Sequence, residues 1–155
     1  MGAEMRTVTV QAAVNRAPLA AFSAFTDDFF EWWPRDYSFS GDLVEGLTIG
    51  NGEGAFCSEH GPHGFRIDFG RVIEWSPPQR LVISWAISPD SRPEPDPSRA
   101  SEVTVEFSPE GEMTRVRLTH QKFERHGEGA DAYAEEMGSE MGWPLILKRF
   151  ESYLG

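Results

Sequence analysis

Chemistry in this chain would have to come from four histidines, one cysteine, a few acids and a large set of aromatics. His60 and His63 stand three apart in the segment HGPH, with Glu59 beside them. A zinc site takes three or four protein ligands, and the sequence places no further one nearby. This glycine–proline setting reads as an exposed turn, so no metal or other cofactor is expected. His120 is placed differently. It comes after Val116 and Leu118 on the same face of a strand pattern, which points it at the interior. A buried imidazole needs a partner, and its pKa is easily moved. His120 then has two possible roles: a hydrogen bond to a helix or neighbouring strand, or ligand contact with acid/base work.

Glu59 is the second candidate acid or base, and its parity leaves both faces of its strand open. Arg66 and Glu74 alternate with Phe65, Ile67, Ile73 and Trp75 and should point outward, unless a bulge reverses them. The lone Cys57 forms no internal disulfide and reads as a small buried hydrophobe. There is no Gly-x-Ser-x-Gly, no phosphate-cradling loop and no dinucleotide fingerprint, which disfavours hydrolases, kinases and nicotinamide enzymes. GNGEG (50–54) lies between strand patterns and reads as a hairpin turn.

The positive signal is aromatic. Trp32, Trp33, Tyr37, Phe39, Phe56, Trp75, Trp85 and Trp143 exceed what a core of this size requires. Ligand cavities are lined mostly by such side chains with a few polar groups. With Met141, Leu147 and His120, they are the candidate lining residues. The segment DDFFEWWPRDYSF (27–39) concentrates this signal, with acids placed to face water.

The elements that must position these groups can be read from periodicity. Residues 6–15 alternate as a half-buried strand. A helix starts at Pro18 with Leu19, Phe22 and Phe25 three apart, and a second short helix capped by Asp27 ends at Pro34. Residues 37–50 form a weak strand broken by glycines, and 52–60 a short one. Residues 65–75 alternate with Phe65, Ile67, Phe69, Arg71, Ile73 and Trp75 on one side. Residues 81–88 are an apolar strand, 89–100 a proline-rich loop and 101–120 a hairpin turning at Pro109-Glu110-Gly111. From 129 to 154 the pattern predicts one long helix with Ala134, Met137, Met141, Leu145 or Leu147, Phe150 and Leu154 on a stripe. Pro144 interrupts that stripe, and Gly138 and Gly142 allow close approach or leave space.

The expected fold is α+β: a curved antiparallel sheet of about six to seven strands around a long C-terminal helix, two short helices after the first strand, and one domain over 1–155. The 155-residue length suits a single core. The formal net charge of −11 repels phosphate backbones, so neither nucleic acid nor anionic membrane is an expected partner. The N-terminal MGAEMRTVTV lacks a signal-peptide run, and Arg6 breaks the myristoylation pattern. No run approaches the ~18 apolar residues of a membrane span. A cytoplasmic location is expected, and homodimerisation stays open.

Three stretches resemble a known family: APLAAFSAFTDDFFEWWP, GRVIEWSPPQRLVISW, and LTHQKF with GWPLILKRFESYL after it. The chain is similar to the START-like, or SRPBCC, superfamily, and within it to the activator of heat-shock protein ATPase homologue-like family. Gly70, Pro77, Pro78, Arg80, Leu81 and Trp85 carry the second stretch, and Gly142, Trp143, Leu147, Phe150 and Leu154 the third. The resemblance implies a helix-grip fold with a cavity between sheet and C-terminal helix. It implies binding of a small, mostly apolar organic ligand, lipid-like or polyketide-like. The alternatives are a polyketide cyclase/aromatase-type enzyme using His120 or Glu59 as proton shuttle, or a chaperone- or stress-related interaction module. Chaperone activation by the eukaryotic namesake also requires a separate N-terminal domain, so that activity is not carried over.

Overall fold

The computed structural model describes residues 6–155, and the reading of the first five residues lies outside them. Seven antiparallel strands form one curled sheet in the order β1-β7-β6-β5-β4-β3-β2. They are β1 (Val8–Val14), β2 (Gly46–Ile49), β3 (Phe56–His60), β4 (Arg66–Ser76), β5 (Arg80–Trp85), β6 (Ser101–Glu110) and β7 (Met113–Gln121). The β6–β7 hairpin pairs Val103 with His120, and β1 pairs Val8 with the same residue. This places the buried His120 near the end of β7, the second strand from one edge, flanked on both sides by paired strands.

Helix α1 (Pro18–Asp27) starts with proline, whose missing N–H costs nothing in the first turn. It buries Ala21, Phe22, Phe25 and Thr26, while Leu19 stands 59% exposed instead of joining the stripe. Helix α2 (Phe29–Trp32) is a single turn entered from Asp28, not Asp27. Trp33 is already extended, as a residue before proline prefers.

The weak strand predicted over 37–50 exists only as β2. Before it the chain makes two 3₁₀ turns, Arg35–Tyr37 and Gly41–Leu43. Gly41 takes φ +56, and the Glu59 carboxylate accepts the backbone N–H groups of Phe39 and Ser40 at 2.8 and 2.7 Å. Those amides are therefore unavailable to a strand ladder.

The alternation predicted for β4 also breaks. The register shifts between Cys57 and Ser58 on β3 and between Val72 and Glu74 on β4. Phe69 and Val72 are buried, whereas Phe65, Arg71 and Ile73 are exposed. Each bulge inserts a residue and turns the next part of the strand to the other face. Gly70 sits at this irregularity, where a Cβ would overlap the Ser84 carbonyl of β5. Arg66 and Glu74 do point outward, bonded to Asp68 and Arg80.

The single long helix is two: α3 (Ala130–Met137) and α4 (Trp143–Leu154). Pro144 is not interior but in the first turn of α4, where proline is favoured. Gly142 makes the break possible, because a Cβ there would run into the Met137 carbonyl. α4 buries Trp143, Ile146, Leu147, Phe150 and Leu154, so the stripe runs through Leu147 rather than Leu145. The sheet closes on this face of α4, with α1 and α2 completing the core. Among the described residues, no helix is long and apolar enough to cross a membrane.

Candidate functional site: an aromatic cavity beside a sealed histidine pair

A cavity of about 580 Å³ opens where the chain leaves α2 and where α3 gives way to α4. Trp33, Phe39, Trp85 and Ile87 form its apolar wall, and Met137, Met141, Gly142 and Ile146 its helical side. Polar groups come from Tyr37, Ser38, Ser91 and Tyr133, and carboxylates from Asp36 and Glu136. A small recess of about 20 Å³ adjoins it and reaches Phe29, Leu47, Glu59 and Phe69.

The wall is held by specific hydrogen bonds. The Trp85 indole N–H donates to the Tyr133 hydroxyl at 2.9 Å, and that hydroxyl donates to the Ile87 carbonyl at 2.9 Å. Burial pushes the Tyr133 pKa up, so its proton stays in place. Tyr133 thus fixes Trp85 and the loop after β5 as one surface. Across the mouth, the Tyr37 hydroxyl donates to the Met141 carbonyl at 2.7 Å, tying the turn after α2 to the α3–α4 break. Both carboxylate oxygens of Glu59, 2% exposed, are occupied by the Phe39 and Ser40 amides. Glu59 therefore positions the segment that carries Phe39.

Behind this wall lies a closed polar chain. The Trp143 indole N–H can only donate, and it reaches His120 Nδ1 at 2.9 Å. Nδ1 must therefore be bare, and His120 is the neutral tautomer protonated on Nε2. That N–H meets Ser101 Oγ at 2.7 Å, and the serine proton turns to His126 Nε2 at 2.8 Å. His126 accordingly carries its proton on Nδ1, which has no hydrogen-bond partner among the described residues. His120 and Ser101 are wholly buried and His126 is 2% exposed. Burial, and then the neighbouring His126, hold the His120 pKa well below the usual histidine value. Burial also lowers the pKa of His126, with Glu94 opposing and Arg99 assisting. Phe123 stacks on the His120 ring at 4.0 Å, and Trp85 and Trp143 cover its edges. The imidazole has no opening to the cavity.

Residues 16–155 match the family described as Activator of Hsp90 ATPase homolog 1-like protein. The chain belongs to this family. Among solved structures it is similar to an anthrahydroquino-gamma-pyrone synthase, Txn09, complexed with SUM, at 34% identity over 98% of this chain and 99% of that one, with a TM-score of 0.67. It is 28% identical to CalC, a self-sacrificing resistance protein from Micromonospora echinospora, over 96% and 93% of the two chains, with a TM-score of 0.62. The Aha1 dimer from Colwellia psychrerythraea shares the fold at 15% identity, over 97% and 96%, with a TM-score of 0.61. No curated protein matches.

In this member of the family, the expected lining residues separate into three groups. Trp33, Tyr37, Phe39, Trp85 and Met141 meet at the cavity. Trp32, Trp143, Leu147 and His120 lie behind it in the core, with Trp32 packed among Phe25, Phe29 and Phe150. Phe56 and Trp75 are elsewhere. Phe56 is 44% exposed on the outer face beneath Arg71, 4.6 Å from its ring, and Trp75 packs on Phe22 at 5.1 Å. Phe56 has the opposite parity to the buried Cys57, and Trp75 faces the core at the end of β4 that packs on α1.

Sequence reasoning missed Asp36, Ser38, Ile87, Ser91, Tyr133, Glu136 and Ile146, and read Met137 and Gly142 only as features of a helix. The strand expected over 81–88 ends at Trp85, so Ile87 lies beyond β5, and Ser91 sits in the proline-rich loop, which folds back through a bridge between Ile87 and Pro93. Tyr133 and Met137 had a readable signal: they are four apart on one helix face, amid acids. His60 and His63 flank a turn in which His63 takes φ 60. Among the described residues no three potential metal ligands gather.

Proposed function

We propose that this protein binds a small, mostly apolar polycyclic aromatic molecule of polyketide-like type in the cavity between its sheet and its C-terminal helices. The observation that carries this reading is the cavity of about 580 Å³ walled by Trp33, Phe39, Trp85 and Ile87. Its size falls in the ~300–1,000 Å³ range of small-molecule sites, and its composition is the apolar wall with few polar groups that such sites have. The similar synthase, named for an anthrahydroquino-gamma-pyrone, supports the ligand class. Titration with a neutral hydroxyanthraquinone, monitored by tryptophan fluorescence and calorimetry, is the test. Saturable one-to-one binding is expected, weakened at least ~5-fold by Met141→Trp, which narrows an exposed position at the mouth. The absence of saturable binding overturns the reading.

A second reading, turnover of the bound molecule, is favoured by the 34% identity to a synthase. Catalysis here would rest mainly on holding a flexible chain in a reactive conformation. Asp36 and Glu136 are the acids facing the cavity. The proton of Tyr133 is committed to Ile87, and His120 would act only if the wall of Trp85 and Trp143 opened. Incubation with an open-chain phenolic polyketone, with mass spectrometry for loss of water, tests this. Unchanged starting material beside measurable binding leaves a carrier or sequestering role.

A further inference from the structure

The charge around the cavity is one-sided. Asp36 and Glu136 line it, and no lysine, arginine or histidine does. The two acids come from different elements, Asp36 from the Arg35–Tyr37 turn and Glu136 from the last turn of α3. Neither carboxylate is bonded to a cation among the described residues, while basic groups in the neighbouring segments are turned elsewhere. Arg35 lies over the Phe30 ring at 4.8 Å. Arg92 faces Asp90 at 3.7 Å. Arg99 is held by Glu94 and the His126 carbonyl.

The backbone adds to this bias. The C-terminal end of α3 carries the negative end of the helix dipole, and its last two residues, Glu136 and Met137, border the cavity. The chain as a whole carries −11. Among the residues that line this mouth, an aromatic carboxylate meets only like charge, the nearest basic side chains, Arg35 and Arg149, bordering the depression on the other side of Asp36 and Trp33. A protonated amine meets two unpaired carboxylates at the rim while its ring contacts Trp33 and Trp85 inside.

Resting on the proposed binding role and deepening it, we infer that the site selects polycyclic aromatics that carry a protonated amine at the rim end. Asp36 and Glu136 are the specificity-determining residues. Anionic aromatics and fatty acids are excluded by charge rather than by size.

The test uses three probes with one anthraquinone frame, bearing an aminomethyl, a hydroxymethyl or a carboxylate group, with affinities measured by calorimetry. One solvent-exposed ion pair changes an equilibrium by a factor of roughly 1.5 to 5. Attraction of the amine and repulsion of the carboxylate together give an expected preference of about 10-fold at low salt. In the Asp36→Asn/Glu136→Gln double variant this preference should collapse, with the amine and carboxylate affinities each taken relative to that of the hydroxymethyl probe on the same variant. That second arm separates the rim carboxylates from the protein's overall negative charge. Equal binding of amine and carboxylate overturns the inference and leaves the cavity reading intact. A preference that survives the double substitution also overturns it. Failure of all three probes, the neutral one included, overturns the cavity reading and this inference with it.

Discussion

Two aromatic regions share the wall made by Trp85 and Tyr133, and they differ in how their polar groups are satisfied. Behind the wall, Trp143, His120, Ser101 and His126 form a directional chain in which the first three each donate to the next, and His126 Nδ1 alone has no partner among the described residues. In front of it, Asp36, Glu136, Ser38 and Ser91 face an open volume. Aromatic content is similar on both sides. Hydrogen-bond saturation together with enclosure distinguishes a part that specifies shape from a part that receives a molecule. Buried polar networks stabilise when complete and become costly when one member is lost. The open side should show the reverse: small effects on stability and large effects on binding.

The largest expected effect is on the sealed side. Ser101→Ala leaves His120 Nε2–H and His126 Nε2 unpaired in a dry environment. At roughly 1–3 kcal/mol for each unsatisfied group, the loss of folding free energy should be about 2–4 kcal/mol. Urea unfolding at pH 7.5 measures it, and the surviving folded protein should still bind a neutral hydroxyanthraquinone. A loss below about 1 kcal/mol would mean that the serine is not a required relay.

Acid should find the same region. Both histidines have pKa values depressed by burial, so the unfolded chain takes up protons that the folded chain refuses. Stability is then full above the ordinary histidine pKa and falls as pH drops below it, by at most about 1.4 kcal/mol per pH unit for each histidine. Unfolding midpoints between pH 7.5 and 5.5 report this. The window lies above that in which Asp68 and Glu110, whose pKa values are lowered, lose their own contributions. A midpoint that is flat between pH 7.5 and 5.5 would contradict a buried neutral pair.

Glu59 stands between the two regions, buried like the first and bordering the recess of the second. Glu59→Gln retains one acceptor and sets an amide N–H against a backbone N–H. The expected cost is about 1–3 kcal/mol, with weaker ligand binding through displacement of Phe39. Full stability together with lost turnover would make Glu59 a reacting group rather than a positioning one. The smallest stability change belongs to the mouth. Tyr37→Phe removes one partly exposed hydrogen bond and should cost no more than about 1 kcal/mol. Stopped-flow fluorescence should show faster ligand entry and exit, because the tie to Met141 is gone.

The sequence carried the sheet and its company of helices well, because those rest on periodicity and punctuation. Pro18 and Pro34 fall at element boundaries, and His120 could be placed inward from Val116 and Leu118. The hairpin expected to turn at Pro109-Glu110-Gly111 turns instead at Gly111 and Glu112, with Pro109 and Glu110 still paired in β6. It failed where one residue changes a register or a helix has a break rather than a kink. Pro144 reads as an interruption on periodicity alone, yet with Gly142 before it the same residue begins a helix. The register shifts beside Cys57 and Val72 leave no trace in alternation and leave Phe65 and Ile73 on the outer face, while Phe56 points outward next to the buried Cys57 and Trp75 packs on Phe22 away from the cavity. Ile87 and Ser91 were out of reach because their place depends on the chain after β5 folding back to meet α3, with Ile87 and Tyr133 separated by 46 positions in the chain.

The central claim concerns which side of the shared wall meets the ligand. The five tryptophans supply a direct probe, since each indole N–H gives one resonance in a ¹⁵N-correlated spectrum. On titration with a neutral hydroxyanthraquinone, the Trp33 and Trp85 indoles should shift saturably. The Trp75 indole, beside Phe22 and away from the cavity, should stay fixed. Shifts at Trp75 with Trp33 and Trp85 unmoved, or no indole shift at ligand saturation, would contradict a ligand seated against this wall.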